Sequence, residues 1–65
     1  MVSTDIWIDD IRVPGWLVLA VSGNSNLGQF VRNIHFIRNS IRPGGQKLGV
    51  KKARAVYDAI IKEAN

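Results

Sequence analysis

No cysteine occurs in the chain, which excludes disulfides and thiolate metal sites. A single histidine, His35, and scattered carboxylates make no ligand cluster, and no metal or cofactor is expected. His35 has no Ser, Thr or carboxylate placed by sequence to work with it, so acid-base or nucleophilic catalysis lacks its parts and the chain reads as non-enzymatic. Long apolar runs are missing too. The longest, "WLVLAV", is far short of the roughly 20 residues that cross a bilayer, and the N-terminus lacks the basic flank and apolar core of a signal peptide. A soluble, cytoplasmic protein without a membrane partner is the expectation. "GGQKLG" lacks the G-x-x-x-x-G-K-[ST] spacing and the preceding strand of a phosphate loop.

At 65 residues the chain is one small domain, 1–65. A chain of this size buries only about 60% of its unfolded surface, so a partner or a second copy is a natural supplement to its stability. Acids are scarce: five Asp and Glu stand against nine Lys and Arg, for a net charge of +4. The balance is uneven along the chain. Residues 1–31 hold Arg12 against Asp5, Asp9 and Asp10, a charge of −2, whereas residues 32–65 hold eight cations against Asp58 and Glu63, a charge of +6. A basic half of this kind is the footprint expected for an acidic protein surface, a nucleic acid or an anionic membrane.

"DIWIDDIRV" and "WLVLAV" read as two strands joined at Val13-Pro14-Gly15-Trp16, where Pro and Gly occupy the central positions that a type II turn favours. The reading places a hairpin over residues 5–22, with Trp7 and Trp16 packing as a cross-strand pair and Asp9 and Asp10 marking a bulge or edge. The second strand is apolar on both faces, which implies burial on both sides and surplus apolar surface for self-association. "SGNSN" supplies a turn and an N-cap at Ser25 or Asn26. Leu27, Phe30, Val31, Ile34, Ile37 and Ile41 then recur at helical spacing, predicting a helix over 26–42. Arg32, His35, Asn39 and Arg42 share a polar strip on it, while Phe36 points away from both strips and is a candidate intermolecular contact. Pro43-Gly44-Gly45 stops this helix. A second helix, over 48–64, would bury Val50, Ala53, Val56, Tyr57, Ile60, Ile61 and Ala64. The expected fold is α+β, a hairpin packed against two amphipathic helices in the order ββαα.

The second helix places Lys51, Lys52 and Arg54 in its first two turns. A helix N-terminus carries partial positive charge, and each exposed cation there costs about 0.3 to 1 kcal/mol. An anion is therefore expected near them. With Lys47 in the preceding turn and Arg38 and Arg42 at the end of the first helix, the cations gather about the inter-helix turn.

"FVRNIHFIRNSIRPGGQKLGVKKARAVYDA" resembles the helix-turn-helix segment in the C-terminal domain of the bacterial ribosomal stalk protein. There a V-I-K-x-V-R helix leads through a glycine turn into G-L-G-L-K-E-A-K. Here Ile37-Arg38 and Ile41-Arg42 stand near the first motif, and Leu48-Gly49-Val50-Lys51-Lys52-Ala53-Arg54 stands where the family has L-G-L-K-E-A-K. The turn is about one residue longer, Lys47 replaces the first Gly and Lys52 the Glu. In that family this face engages translational GTPases on the ribosome, and the resemblance implies Arg38, Arg42, Lys51 and Arg54 as the matching contacts.

The expected function is that of a small basic binding module. Its cationic two-helix face, comprising Arg32, His35, Phe36, Arg38, Arg42, Lys47, Lys51, Lys52 and Arg54, would dock an acidic protein: a translation factor or the ribosome, or a host enzyme if the chain is a phage protein. The alternative is a nucleic-acid binder that sets the same cations against phosphates. The second helix has no cluster of exposed Asn, Gln or Arg that would read base edges, so such binding would be electrostatic.

Overall fold

Asp9-Asp10 forms a turn. In the computed structural model, which describes residues 4–23 and 30–64, strands β1 (Ile6–Ile8) and β2 (Ile11–Val13) pair antiparallel with Ile6 opposite Val13, Trp7 opposite Arg12 and Ile8 opposite Ile11. Two residues close the hairpin. Asp9 takes a positive φ of 54°, a conformation that Asp tolerates better than most residues and that suits the twist of a two-residue connection. Ile6, Ile8, Ile11 and Val13 share the face turned to the core, and Trp7 and Arg12 share the exposed one.

The α+β class with an N-terminal hairpin packed on helices is as expected, but the hairpin is shorter and the Trp16–Val21 segment is not its second strand. Helix α1 (Gly15–Gly23) occupies that stretch. Pro14, expected at a turn between strands, instead opens the helix: its carbonyl accepts from Leu17 N at 3.0 Å and Val18 N at 3.1 Å. Proline suits this position because a first-turn residue has no N–H partner within the helix. The Asp5 carboxylate, ten positions upstream, accepts from Gly15 N at 2.7 Å and holds Arg12 Nε at 2.9 Å. The helix thus has a cap from β1's flank. Among the described residues three α-helices result, rather than two.

Helix α2 (Phe30–Ser40) and helix α3 (Val50–Ala64) follow. The proposed N-cap at Ser25 or Asn26, and Leu27, lie outside the described residues. Between α2 and α3, Pro43–Gly45 forms one 3₁₀ turn in which Gly44 and Gly45 take φ of 63° and 83°. Only glycine adopts such angles freely, and here the pair stops α2 as expected. Arg38 clamps the turn: its Nε donates to Leu48 O at 2.8 Å, and its own carbonyl accepts from Leu48 N at 3.2 Å.

Leu17, Ile37, Ile60, Val13, Val21 and Val56 are fully buried and form the centre of the core, with contributions from the hairpin and all three helices. Complete burial of each such side chain stabilises the fold by about 1.5 to 3 kcal/mol. Helix α3 packs against α2, α1 and β1. The molecule measures 30 × 25 × 16 Å. Among the described residues, no helix is long and apolar enough to cross a membrane.

Candidate functional site

Helices α2 and α3 run back along one another from the Arg38–Leu48 clamp. Away from it, Phe30 and Tyr57 meet edge to face with ring centroids 5.0 Å apart, and both are half-buried. Between these two points lies an open groove of about 270 Å³ floored by Phe30 and Ile34 and walled by Val31, His35 and Arg38 of α2 and Val50 and Arg54 of α3. Val31 is 65% exposed and Val50 58%. Both were expected in the core. They lie at the edges of apolar strips wider than the contact between two helices can cover, and they surface on opposite walls of the same groove.

Arg54 is the best-placed cation. Its guanidinium stacks over the Phe30 ring at 4.9 Å from the centroid, and Asp58 lies 3.9 Å from Nε one turn on. The stack fixes the side chain across the groove while leaving its N–H groups toward water, since an arginine plane over an aromatic face uses none of its donors. Arg38 points into the same groove but spends Nε on Leu48 O. His35 lines the rim, and its side chain records no hydrogen-bond partner among the described residues.

The structure divides the other expected site residues. Lys51 lies on the Arg54 side of α3 by helical spacing, exposed and without an ion-pair partner among the described residues. Lys52 points the other way and donates to Asp9 Oδ2 at 2.7 Å. The anion sought near the α3 N-terminus is, for this lysine, a carboxylate of its own chain. That contact holds Asp9 below the usual carboxylate range and raises Lys52 above the usual lysine value. Arg42 lies over the turn, with Nη2 3.5 Å from Gly45 O, and Lys47 is exposed beside it. Arg32 and Phe36 occupy the far side of α2. There Phe36 is covered in part by Trp16 of α1, their rings edge to face at 6.0 Å. Trp16 therefore pairs with Phe36, and the expected Trp7–Trp16 pair is absent because α1 carries Trp16 away from the hairpin.

A second and larger cleft, about 570 Å³, lies between the hairpin and the turn and includes Arg12, Arg42, Lys52, Ser40 and Asp10. Its charge is already balanced. Arg12 is engaged by Asp5, Lys52 by Asp9, and Asp10 lines the cleft itself. In the α2–α3 groove Arg38 has no carboxylate partner among the described residues, Arg54 has Asp58 at 3.9 Å, and uncovered apolar side chains lie beside both. Among the described residues no group of three His, Asp or Glu is gathered that could hold a metal.

Of the groove residues, His35, Arg38 and Arg54 were legible as a cationic face; Val31, Val50, Phe30 and Ile34 were not, being assigned to the core by period. The available signal was the width of the apolar strip on α2, where Phe30 and Val31 stand side by side and cannot both face inward. No protein-family model matches this chain, and neither does any curated protein or solved structure.

Proposed function

We propose that the α2–α3 groove docks an acidic protein segment, as a non-enzymatic binding module. The observation that carries this reading is the exposure of Val31 and Val50 on facing walls with Arg54 and His35 beside them. An apolar side chain of the partner would seat between the valines, and flanking carboxylates would meet Arg54, Arg38 and, beyond the rim, Lys51. Affinity then comes from a small desolvated centre and register from the charged edge. A phosphate-binding surface needs the cations but has no use for the valines, and this places the nucleic-acid reading second.

The resemblance to the stalk protein's helix-turn-helix segment gives the partner a class: a translational GTPase or another acidic component of the translation machinery, met in the cytoplasm. Arg38 and Arg54, two of the four residues the resemblance implies, line the groove; Lys51 borders it and Arg42 lies over the turn.

Titration of the protein with a purified bacterial elongation GTPase, and separately with a 20-nucleotide duplex, tests the reading. Val50→Ser should weaken the protein complex several-fold with an unchanged circular dichroism spectrum, and Arg54→Gln should weaken it further. The reading fails if Val50→Ser is neutral while duplex binding is tight and falls with salt at about 0.9 in log-log slope per neutralised phosphate.

A further inference from the structure

Two arginines stand toward opposite ends of the α2–α3 groove, with apolar floor between them. The Arg54 guanidinium rests over Phe30 at the start of α2, and Arg38 follows eight positions later on the same helix. At a rise of about 1.5 Å per residue the two ends are about 12 Å apart. Ile34 lies four positions from each, between the exposed Val31 and Val50 walls. Both arginines keep donors for an acid. Arg38 donates Nε to Leu48 O and has no carboxylate partner among the described residues, and Asp58 stands 3.9 Å from Arg54 Nε, beyond hydrogen-bond distance.

We infer that the groove recognises an extended peptide of the pattern acid-x-apolar-x-acid, an inference that rests on reading the groove as a dock for an acidic protein segment. In an extended chain residues i, i+2 and i+4 share one face, and two residues advance by about 6.6 Å. The step from Ile34 to either end of the groove is about 6 Å. An apolar side chain at i+2 seated over Ile34 therefore brings the acids at i and i+4 to Arg54 and Arg38. A guanidinium fork can hold both oxygens of a carboxylate, which ties each end of the peptide to a fixed place.

The size of the groove agrees with a single anchor. It encloses about 270 Å³, and an apolar cavity of about 150 Å³ takes one benzene. One ring-sized side chain fills the floor while its backbone crosses the mouth. A helical partner would present a ridge of three or four apolar side chains over two turns, more than the interval between the arginines receives. Acids four positions apart on a helix are separated by only about 6 Å along its axis and reach one arginine, and a separation of seven positions, about 10.5 Å, is the helical arrangement that competes with the extended one.

Peptides of about nine residues, too short to hold a helix by themselves, test the pattern. The probe carries Glu-Ser-Phe-Ser-Glu between Ser and Gly flanks and is titrated into the isotope-labelled full chain, followed by NMR. The methyl signals of Val31, Ile34 and Val50 should shift, and binding should be several-fold tighter than for isomers of the same composition in which one Glu is moved next to Phe. Arg54→Gln should remove most of that difference with an unchanged circular dichroism spectrum. Asp58→Asn should tighten the matched peptide by removing a carboxylate that competes for Arg54, and unchanged or weaker binding would dismiss Arg54 as a docking point and the register with it. The inference is also overturned if the isomers bind equally well, or if a longer helical peptide with Phe midway between Glu residues seven positions apart binds more tightly than the matched one. In either case binding that still depends on Val50 leaves the groove a dock for an acidic segment. If no acidic peptide moves the Val31 and Val50 signals, both readings fail.

Discussion

Lys52 Nζ donates to Asp9 Oδ2 at 2.7 Å and ties the hairpin turn to the first turn of α3, across 43 positions of sequence. Helix α3 has no acid in its first turn, so the negative charge its N-terminus favours arrives from the other end of the chain. Asp9 does two jobs with one residue: it adopts the positive φ that closes the hairpin, and it presents the carboxylate.

Replacing Asp9 with Asn separates these roles, because Asn tolerates the same backbone and removes only the charge. Asp9 is held low by Lys52, so its contribution is present above the unfolded carboxylate value of about 3.9 and is lost as pH falls through the lowered one. Lys52 is held high by Asp9, so its share is present below about 10.4 and is lost as pH rises through the raised value. Asp9→Asn should therefore lower the melting temperature at pH 7, by a difference that shrinks as pH falls through the lowered Asp9 value. Thermal melts across that range check it, and an undiminished difference at low pH would show the backbone, not the charge, to matter.

Asp5 supports a second prediction. The Gly15 N–H and the Arg12 guanidinium both hold its carboxyl below the usual carboxylate range, the first as the cap on α1 and the second as an ion pair. Asp5→Ala should lower the melting temperature more than Arg12→Gln does and should speed hydrogen exchange at the Gly15 amide. Equal losses from the two variants would assign the effect to the ion pair instead.

The α1 cap also marks where the fold stopped being legible. "WLVLAV" is apolar at every position, and such a run has no period with which to choose between strand and helix. The decision was made by Pro14 and by a carboxylate ten positions away, and a local reading has no access to the second. The neighbouring error has the same root: Asp9-Asp10 was taken to interrupt a long strand, when Ile8 and Ile11 on either side were the flanks of a two-residue loop. Helices α2 and α3 have clear period, and Ile34, Ile37, Ala53, Val56 and Ile60 are buried as their spacing predicts. The cations were readable as a class, but their pairings were not, since Lys52 and Lys51 are adjacent in sequence and differ only in which side of α3 the hairpin occupies.

The inter-helix turn gives a third prediction. Gly44 and Gly45 both have positive φ, yet a Cβ at either would meet no atom of the described residues within 4 Å. The requirement is one of backbone conformation and not of space. Gly44→Ala and Gly45→Ala should each destabilise by about 1 to 2 kcal/mol, while Gly44→Asn should recover part of the loss because Asn enters the left-handed region more readily. Urea unfolding measures these differences, and an Ala variant as stable as wild type would mean that the turn adopts another shape.

The fourth prediction divides two adjacent lysines by the sign of their effect. Lys51 has no ion-pair partner among the described residues, so Lys51→Glu exchanges an unfavourable cation in the first turn of α3 for a favourable anion. It should stabilise by a few tenths to about 1 kcal/mol. Lys52→Glu gains the same interaction with the helix N-terminus but sets a third carboxylate against Asp9 and Asp10, whose field acts on Lys52, and it should lower the melting temperature. Binding separates them as well: Lys51→Glu places negative charge beside the groove and should weaken an acidic partner, whereas Lys52 points toward the hairpin and its replacement should leave groove affinity unchanged in the folded fraction. If both variants move stability in the same direction, the Asp9 contact does not hold Lys52 in solution. If Lys51→Glu binds an acidic partner as well as wild type does, the cationic edge of the groove ends at Arg54.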